Sequence, residues 1–205
     1  MGTEYLIGIR TEIDIGMLYV MRHGKTQWNE LHKIQGQTDT SLNDEGRMMA
    51  EAAREKYKDM HFDICYVSPL LRARETAEIF LKGRDIPVIY DERLKEMCFG
   101  SYEGEMNAIE RNLPIAVFFK DPADYVAADG VESIEQLMER TESFLEEYVY
   151  PQLKKGKDIL IIGHGAMNSS IVCNARGMSK EHFWDAGIPN CEVILVDVAK
   201  PICEG

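Results

Sequence analysis

The fold is decided by the stretch Leu18-Tyr19-Val20-Met21-Arg22-His23-Gly24-Lys25-Thr26-Gln27-Trp28-Asn29. Its first four residues are apolar and predict a short buried strand, after which the chain breaks into Arg-His-Gly. In an open α/β sheet, ligands bind beyond the carboxyl ends of the strands. We therefore expect Arg22 and His23 to face a ligand.

A second apolar run, at residues 158–162, ends in Gly163-His164-Gly165. His164 thus follows the carboxyl end of a strand, as His23 does, although it lies near the other end of the sequence. The two histidines therefore predict one shared site. For either element alone, the alternative is a turn glycine beside a histidine that bonds to the backbone. The pair, with Arg22 attached, favours the site.

The residue types of this site suit phosphate chemistry. A phosphomonoester is dianionic, so its attacker should be neutral and its transferring oxygens need fixed positive charge. A histidine nucleophile with adjacent arginines supplies both, because the planar guanidinium matches two phosphate oxygens and stays charged. Such a site requires no metal and no cofactor.

The pattern R-H-G-x-[ST]-x-x-N at residues 22–29 resembles the histidine phosphatase superfamily, in its phosphoglycerate-mutase-like branch (branch 1). The resemblance extends from about residue 17 to about residue 198. It implies that His23 carries the phosphoryl group and that Asn29 donates to the phosphate. The hydroxyl of Thr26 is a weaker candidate for the same role.

A helix is predicted after residue 67, with Ser68 as its N-cap and Pro69 in its first turn. This helix carries two candidate phosphate ligands, Arg72 and Arg74. Residues two apart on a helix diverge by roughly 200°, so Arg72 and Arg74 cannot both point into one pocket. Arg72 lies nearer the helix start and matches the family pattern S-x-L-x-R-A-x-x-T-A. We therefore assign Arg72 to phosphate and expect Arg74 to pair with Glu78.

Among the acids of residues 91–103, Glu96 stands apart because its neighbours are apolar. Such neighbours raise the pKa of a carboxyl group, which a proton donor near neutral pH needs. The alternative is a solvated loop acid. Glu96 also matches the acid/base of the family stretch L-x-E-x-x-[FY]-G-x-x-E-G, in which Glu103 is expected to be structural.

Residues 105–131 are predicted to form a short helix and an irregular lid over the site. Acids outnumber bases in this lid: Glu105, Glu110, Asp121, Asp124 and Asp129 against Arg111 and Lys120. A mutase must hold a bisphosphorylated intermediate through its second phosphate, so this lid favours hydrolysis over intramolecular transfer. The lid aromatics either contact an apolar leaving group or pack the lid onto its domain.

The remaining patterns alternate strands with helices. Strands are expected at residues 62–67, 86–90 and 192–198, and helices at residues 43–57, 132–149 and 166–176. Ser133 and Gln136 form a predicted capping box. Relative to the family pattern, a valine inserted before Glu132 argues against a direct ligand role for Glu132 or Ser133. This order predicts a three-layer α/β/α fold with a mostly parallel central sheet.

Residues 1–16 place apolar side chains on most odd positions, which is typical of a half-buried strand. We expect this extension to add a strand to a sheet edge, either of this chain or of a second copy. Pairing with a second copy would form a homodimer. The alternative is that Met17 is the start and the extension has no role. Residues 17–200 are predicted to be one domain, and residues 201–205 a frayed tail.

Composition excludes several classes of partner. The net charge of −12 and the pI near 4.9 argue against nucleic acid or an anionic membrane surface. The five cysteines show no C-x-x-C spacing, so neither a zinc site nor a disulfide framework is indicated. No run approaches the ~18 apolar residues of a membrane helix, and the N-terminus lacks a signal-peptide pattern, so we expect a cytoplasmic protein.

Together these features predict a metal-independent phosphatase for small phosphomonoesters. Neutral His23 attacks phosphorus while Arg22, Arg72 and His164 hold the phosphoryl oxygens. Glu96 protonates the leaving alkoxide and then deprotonates the water that hydrolyses phospho-His23. The alternatives are a 2,3-bisphosphoglycerate-dependent phosphoglycerate mutase, a catalytically silent phosphate-binding regulatory protein, and a metal-dependent hydrolase. The remaining histidines, His32, His61 and His182, are expected to be surface or structural residues.

Overall fold

The computed structural model describes residues 15–128 and 130–199. Apart from residues 15 and 16, the strand predicted for residues 1–16 lies outside the described residues, as does the tail at residues 201–205. Both stay predictions.

Within the described residues, five strands form one sheet. The strands are β1 (Leu18–Arg22), β2 (Ile64–Val67), β3 (Val88–Tyr90), β4 (Ile159–Gly163) and β5 (Val193–Val196). Their order across the sheet is β3-β2-β4-β1-β5, and β5 alone runs antiparallel to its neighbour. The mostly parallel sheet is therefore confirmed.

Helices connect the strands. They are α1 (Gln27–Glu30), α2 (Asp44–Lys56), α3 (Leu71–Phe80), α4 (Ala116–Lys120), α5 (Ile134–Phe144), α6 (Tyr150–Leu153) and α7 (Gly165–Arg176). Short 3₁₀ turns lie at Glu92–Leu94, Gly100–Tyr102 and Lys180–His182. In the part of the chain that the structure describes, no helix has the length and apolar character needed to cross a membrane.

The sheet separates two hydrophobic cores. Leu18 and Val20 of β1 belong to the core that α5 and α7 cover, whereas Tyr19 and Met21 belong to the core that α2 and α3 cover. A strand buried on both faces is apolar at every position, which is why β1 and β4 lack polar alternation. The predicted three-layer α/β/α fold is thus confirmed.

The register of β1 and β4 builds the ligand edge of the sheet. Arg22 pairs with Gly163, so both strands end at the same level and side by side. The N–H of His23 then donates to the carbonyl oxygen of Gly163 at 2.9 Å. Consequently the two strand-end histidines emerge next to each other, although 140 residues of sequence separate them.

The predicted start of α3 is wrong. Leu70 is extended, and the helix begins at Leu71, whose N–H donates to the Asp39 carboxylate at 2.7 Å. The side chain of Ser68 does not cap this helix. Its hydroxyl accepts from the N–H of Leu70 at 3.3 Å, just before the helix, and lies 2.7 Å from Nε2 of His164. Ser68 thus combines a local turn with a tertiary contact.

The predicted helix at residues 132–149 begins two residues later and ends later. Ser133 and Gln136 form the expected capping box, and α5 starts at Ile134. A π-helical turn at Leu145–Val149 then leads into α6, where Pro151 lies in the first turn. Proline has no N–H to give to a regular helix, and a widened turn accommodates that loss.

Gly46 of α2 is packed against the loop that follows His23. A Cβ atom at residue 46 would lie 2.0 Å from the carbonyl oxygen of Lys25. We expect Gly46→Ala to lower the free energy of unfolding by about 1–3 kcal/mol through overpacking, despite the better helix propensity of alanine. Chemical denaturation measures the change, and the exposed Glu51→Ala on the same helix serves as control. Stabilisation by Gly46→Ala would contradict this packing.

Candidate active site

The imidazole of His23 has one defined tautomer. Its Nδ1 lies 2.7 Å from the carbonyl oxygen of Gly24, and a carbonyl only accepts, so Nδ1 carries the proton. The lone pair is therefore on Nε2, which accepts from Nε of Arg72 at 3.3 Å. This leaves Nε2 as the nucleophilic atom, next to a cation.

The same imidazole is held neutral. Burial lowers the pKa of His23 well below its usual value of 6.5, and the positive charges of Arg72 and Arg22 lower it further. A neutral imidazole can attack an electrophile, whereas imidazolium cannot. The positive charge of this region therefore resides on the guanidinium groups.

Arg72 is fully buried and rigidly held. Its guanidinium donates to the carbonyl oxygens of Gly36 at 2.7 Å and Thr38 at 3.1 Å. Burial lowers its pKa to about 10, against the attraction of Glu96, so it stays protonated at neutral pH. Arg74, as the helix geometry predicts, points elsewhere: it is exposed and lies 5.6 Å from the ring centroid of Tyr90.

Glu103 supports the loop that holds Arg72. Its carboxylate accepts from the N–H of Gln37 at 2.9 Å, the N–H of Thr38 at 2.7 Å and the N–H of Phe99 at 3.2 Å. The hydroxyl of Thr38 also donates to it. Burial raises the pKa of Glu103, but hydrogen bonds led by those from Thr38 outweigh burial and lower the pKa. The expectation that Glu103 is structural fits this geometry.

Glu96 is buried at the start of α7. Its Oε1 accepts from the N–H groups of Met97 and Met167, each at 2.9 Å, and its Oε2 accepts from the N–H of Ala166 at 3.1 Å. These three backbone donors hold both carboxylate oxygens in place, and two of them come from a helix distant in sequence that the apolar neighbours of Glu96 did not reveal. The carboxylate therefore combines apolar surroundings with a polar anchor.

His164 lies beside His23, with 5.2 Å between the ring centroids. Burial lowers the pKa of His164 well below 6.5, and the charge of Arg72 lowers it further. Among the described residues, Nδ1 of His164 and Nε of Arg22 are buried polar atoms without a partner. A phosphate oxygen would satisfy such donors.

A cavity of about 390 Å³ opens at this edge of the sheet. Arg22, His23, Asn29 and Glu96 line it, whereas Arg72 and His164 are fully buried and lie outside its lining. A Cβ atom on Gly165 would lie 3.6 Å from Cζ of Arg22 and 3.7 Å from Oε2 of Glu96. Glycine thus keeps the space between these two charged groups open.

The structure brings Asn29 to the cavity but not Thr26. The hydroxyl of Thr26 accepts from the N–H of Asn29 at 3.2 Å, and the side chain of Asn29 returns a bond to the N–H of Thr26 at 3.1 Å. The pair forms a capping box at the start of α1, and Thr26 is fully buried. Thr26 therefore positions Asn29 in this structure.

Sequence reasoning missed several residues that line the cavity, among them His32, Lys33 and Trp184. His32 has a φ of 49°, a left-handed conformation that is uncommon outside glycine and turns the chain sharply. No local pattern marked this turn, although His32 and Lys33 closely follow the R-H-G motif. His61 and His182 lie on the surface near Asp63 and Asp185, at 3.6 Å and 2.8 Å, as expected.

Residues 105–131, the predicted lid, contribute no lysine or arginine to the cavity lining in the part that the structure describes. Arg111 pairs with Glu105 at 2.7 Å, and Lys120 is exposed. Glu132, for which a ligand role was doubtful, pairs with Arg140 at 2.6 Å. Residues 15–128 and 130–199 also contain no group of three or more His, Cys, Asp or Glu side chains arranged to hold a metal.

Glu103→Gln tests the support of Arg72. An amide nitrogen cannot accept, so at least one backbone N–H loses its partner, and we expect the free energy of unfolding to fall by about 1–3 kcal/mol. Denaturation measures this loss. The matched control is Glu105→Gln, a surface residue paired with Arg111, which should cost less than about 1 kcal/mol. Equal effects of the two substitutions would contradict the assigned role.

The neutral histidines predict a pH dependence of stability. Below about pH 6.5 the unfolded chain binds protons that buried His23 and His164 exclude, so stability is present above this pH and lost below it. Each histidine contributes up to about 1.4 kcal/mol per pH unit. The free energy of unfolding is measured with urea between pH 7.5 and pH 5. Its slope against pH should be smaller in His164→Asn than in the wild type. Identical slopes would contradict this assignment.

Comparison with known proteins gives a consistent picture. The family model of the histidine phosphatase superfamily (branch 1) matches residues 18–201. A 2-carboxy-D-arabinitol-1-phosphatase from Triticum aestivum is 32% identical, over 87% of this chain and 36% of that protein, so the chain spans about a third of this relative. A 2,3-bisphosphoglycerate-dependent phosphoglycerate mutase from Cytophaga hutchinsonii is 30% identical, over 80% of this chain and 79% of its own.

Among solved structures, the phosphoserine phosphatase from Entamoeba histolytica in complex with 3-phosphoglyceric acid is similar, with a TM-score of 0.75 and 29% identity. The similarity covers 88% of this chain and 90% of that one. The protein therefore belongs to the histidine phosphatase superfamily, branch 1.

Proposed function

We propose that this protein is a metal-independent phosphatase that hydrolyses small phosphomonoesters through a phosphohistidine on His23. The observation that carries this proposal is the state of the His23 imidazole. It is buried and neutral, its proton is fixed on Nδ1 by Gly24, and its Nε2 lone pair faces Arg72 at 3.3 Å. A phosphohistidine mechanism needs a nucleophile in this state.

In the first step, Nε2 of His23 bonds to phosphorus and the ester P–O bond breaks. As Nε2 bonds to phosphorus, the Nε–H of Arg72 from which it accepts in this structure turns to a phosphoryl oxygen. Nε–H of Arg22, which has no partner among the described residues, and Nδ1 of His164, in its protonated tautomer, offer further donors. The leaving alkoxide takes a proton from Glu96.

In the second step, Glu96 removes a proton from water, and the resulting hydroxide displaces His23 from phosphorus. Three backbone N–H groups hold the Glu96 carboxylate in position for this role of base. Oε2 is the oxygen that exchanges the proton, because it accepts from Ala166 alone and borders the open space at Gly165. Inorganic phosphate then leaves, and His23 is regenerated.

The charges at the cavity favour hydrolysis over the mutase reaction. A mutase must retain a bisphosphorylated intermediate, which calls for a second cluster of cations. Among the described residues that line the cavity, the basic side chains of the lysine and arginine type are Arg22 and Lys33. Glu110 belongs to the same lining. One ammonium group beside a carboxylate is a weak clamp for a second phosphate.

The substrate is a phosphorylated small molecule, and the net charge of −12 disfavours nucleic acid as a partner. The described cysteines, Cys65, Cys98, Cys173 and Cys191, are free, which supports a reducing, cytoplasmic location. A homodimer formed through residues 1–16 stays a prediction.

Phosphate release tests the proposal. With chelator present, the wild type should release inorganic phosphate from phosphomonoesters, and His23→Ala should lower the rate by about a thousandfold or more because the nucleophile is lost. Glu96→Gln should lower it by about 10²–10⁴-fold. His182→Ala, on the surface near Asp185, is the control that keeps the wild-type rate.

Three outcomes would contradict the proposal. Loss of activity with chelator would indicate a metal-dependent hydrolase. Isomerisation of 3-phosphoglycerate in the presence of 2,3-bisphosphoglycerate, at a rate above that of phosphate release, would indicate a mutase. Phosphate binding without turnover of any ester would indicate a regulatory protein.

A further inference from the structure

The cavity is much larger than a phosphate group needs. Its volume of about 390 Å³ falls in the range of sites that enclose a whole small molecule. Beyond the charged end at Arg22, His23 and Glu96, its lining is mixed. The polar lining residues are Asn29, His32, Lys33, Gln35, Asn107 and Glu110, and the larger apolar ones are Ile34, Phe99, Ile109, Phe119 and Trp184. The volume left over by the phosphate therefore belongs to the alcohol part of the substrate.

Two aromatic side chains form one wall of this cavity, which we name the Phe119–Trp184 wall. Their rings lie nearly parallel, at 20°, with centroids 6.1 Å apart. Phe119 comes from α4, and Trp184 follows the 3₁₀ turn Lys180–His182. That spacing is too small to admit a third ring between them, so a ligand ring can pack only on the surface that the pair shares with the cavity.

The wall is apolar and already in place. The indole N–H of Trp184 donates to the carbonyl oxygen of Phe118 at 2.8 Å, so its single donor is in use. Phe118 is fully buried and its ring lies 5.0 Å from those of both Phe119 and Trp184. The completely buried Phe183 packs against Phe118 and Trp184 from the protein side. Such a wall costs little ordering when a ligand arrives.

A small charged alcohol would gain little from this wall. The charged lining residues that could meet a carboxylate or an ammonium group, Lys33 and Glu110, belong to other segments of the chain, as do the polar lining residues Asn29, His32, Gln35 and Asn107. Aromatic faces favour flat apolar partners, which stack on them with offset rings. The wall therefore selects for a ring in the leaving group.

We propose that the preferred substrates are phosphomonoesters whose alcohol carries a flat, apolar ring that stacks on the Phe119–Trp184 wall. The inference rests on the proposed function for the phosphate end of the ligand, and on the wall for the other end. A ring rich in hydrogen-bonding groups fits less well, because the wall offers it no free donor.

Binding of two phosphonates isolates the wall from turnover. 2-Phenylethylphosphonate and ethylphosphonate share the same anionic head and differ by the ring, and neither has an ester bond to hydrolyse. Titration calorimetry with the full chain should give a Kd for the phenyl compound at least about tenfold below that of the ethyl compound. Equal Kd values, or no binding of either compound at millimolar concentration, would overturn the inference.

Variants assign the preference to the wall. Phe119→Leu and Trp184→Leu should each lower the Kd ratio at least about threefold, whereas Trp184→Phe, which keeps a ring, should retain more of it. Val117→Ala is the matched control, because Val117 is exposed on the same helix as Phe119 and lies outside the cavity lining. A ratio that is unchanged in both leucine variants would overturn the role of the wall.

Turnover of the matching esters separates this inference from the proposed function. If the phenyl preference is found in binding but neither 2-phenylethyl phosphate nor ethyl phosphate is hydrolysed, the pocket stands and the phosphatase proposal fails. If both esters are hydrolysed with equal kcat/KM and the phosphonates bind equally, the phosphatase stands and the ring preference fails. The two alkyl alcohols demand the same protonation by Glu96, so a rate difference reports the ring.

Discussion

The parallel pairing of β1 with β4, in the register that places Arg22 beside Gly163, is the constraint on which the site depends. A shift by one residue would turn every side chain of β1 to the opposite face and move His23 away from His164. Both strands are buried on their two faces, so the apolar cores on either side fix the register. The chemistry at the strand ends is thus set by packing within the sheet.

The site also places four basic side chains close together. Two guanidinium groups and two imidazoles lie together in a protein of net charge −12, and four positive charges would repel one another. Burial and the arginine charges lower the pKa of both histidines, which leaves the positive charge on Arg22 and Arg72. Backbone carbonyls of Gly36 and Thr38, fixed by Glu103, orient Arg72 without neutralising it. The site therefore stays cationic where a phosphate would bind and nucleophilic at Nε2 of His23.

The sequence predicted the parts that depend on local pattern. Apolar runs located β1 and β4, their ends placed His23 and His164 together, and the angle between helical residues separated Arg72 from Arg74. Tertiary contacts were not predictable. Ser68 is a residue type that often caps helices, yet its hydroxyl contacts His164. Two of the three backbone donors to Glu96 come from a helix about 70 residues further along the chain. The Phe119–Trp184 wall joins two segments 65 residues apart, which no local periodicity encodes.

The most direct test of the central claim is to trap the enzyme during turnover and locate the phosphate. The protein is mixed with an excess of a phosphomonoester, quenched in alkali, where phosphohistidine survives, and mapped by peptide mass spectrometry. The account predicts a phosphoryl group on His23 that disappears once the substrate is exhausted. Turnover with no adduct on His23, or with a stable adduct on another residue, would contradict it.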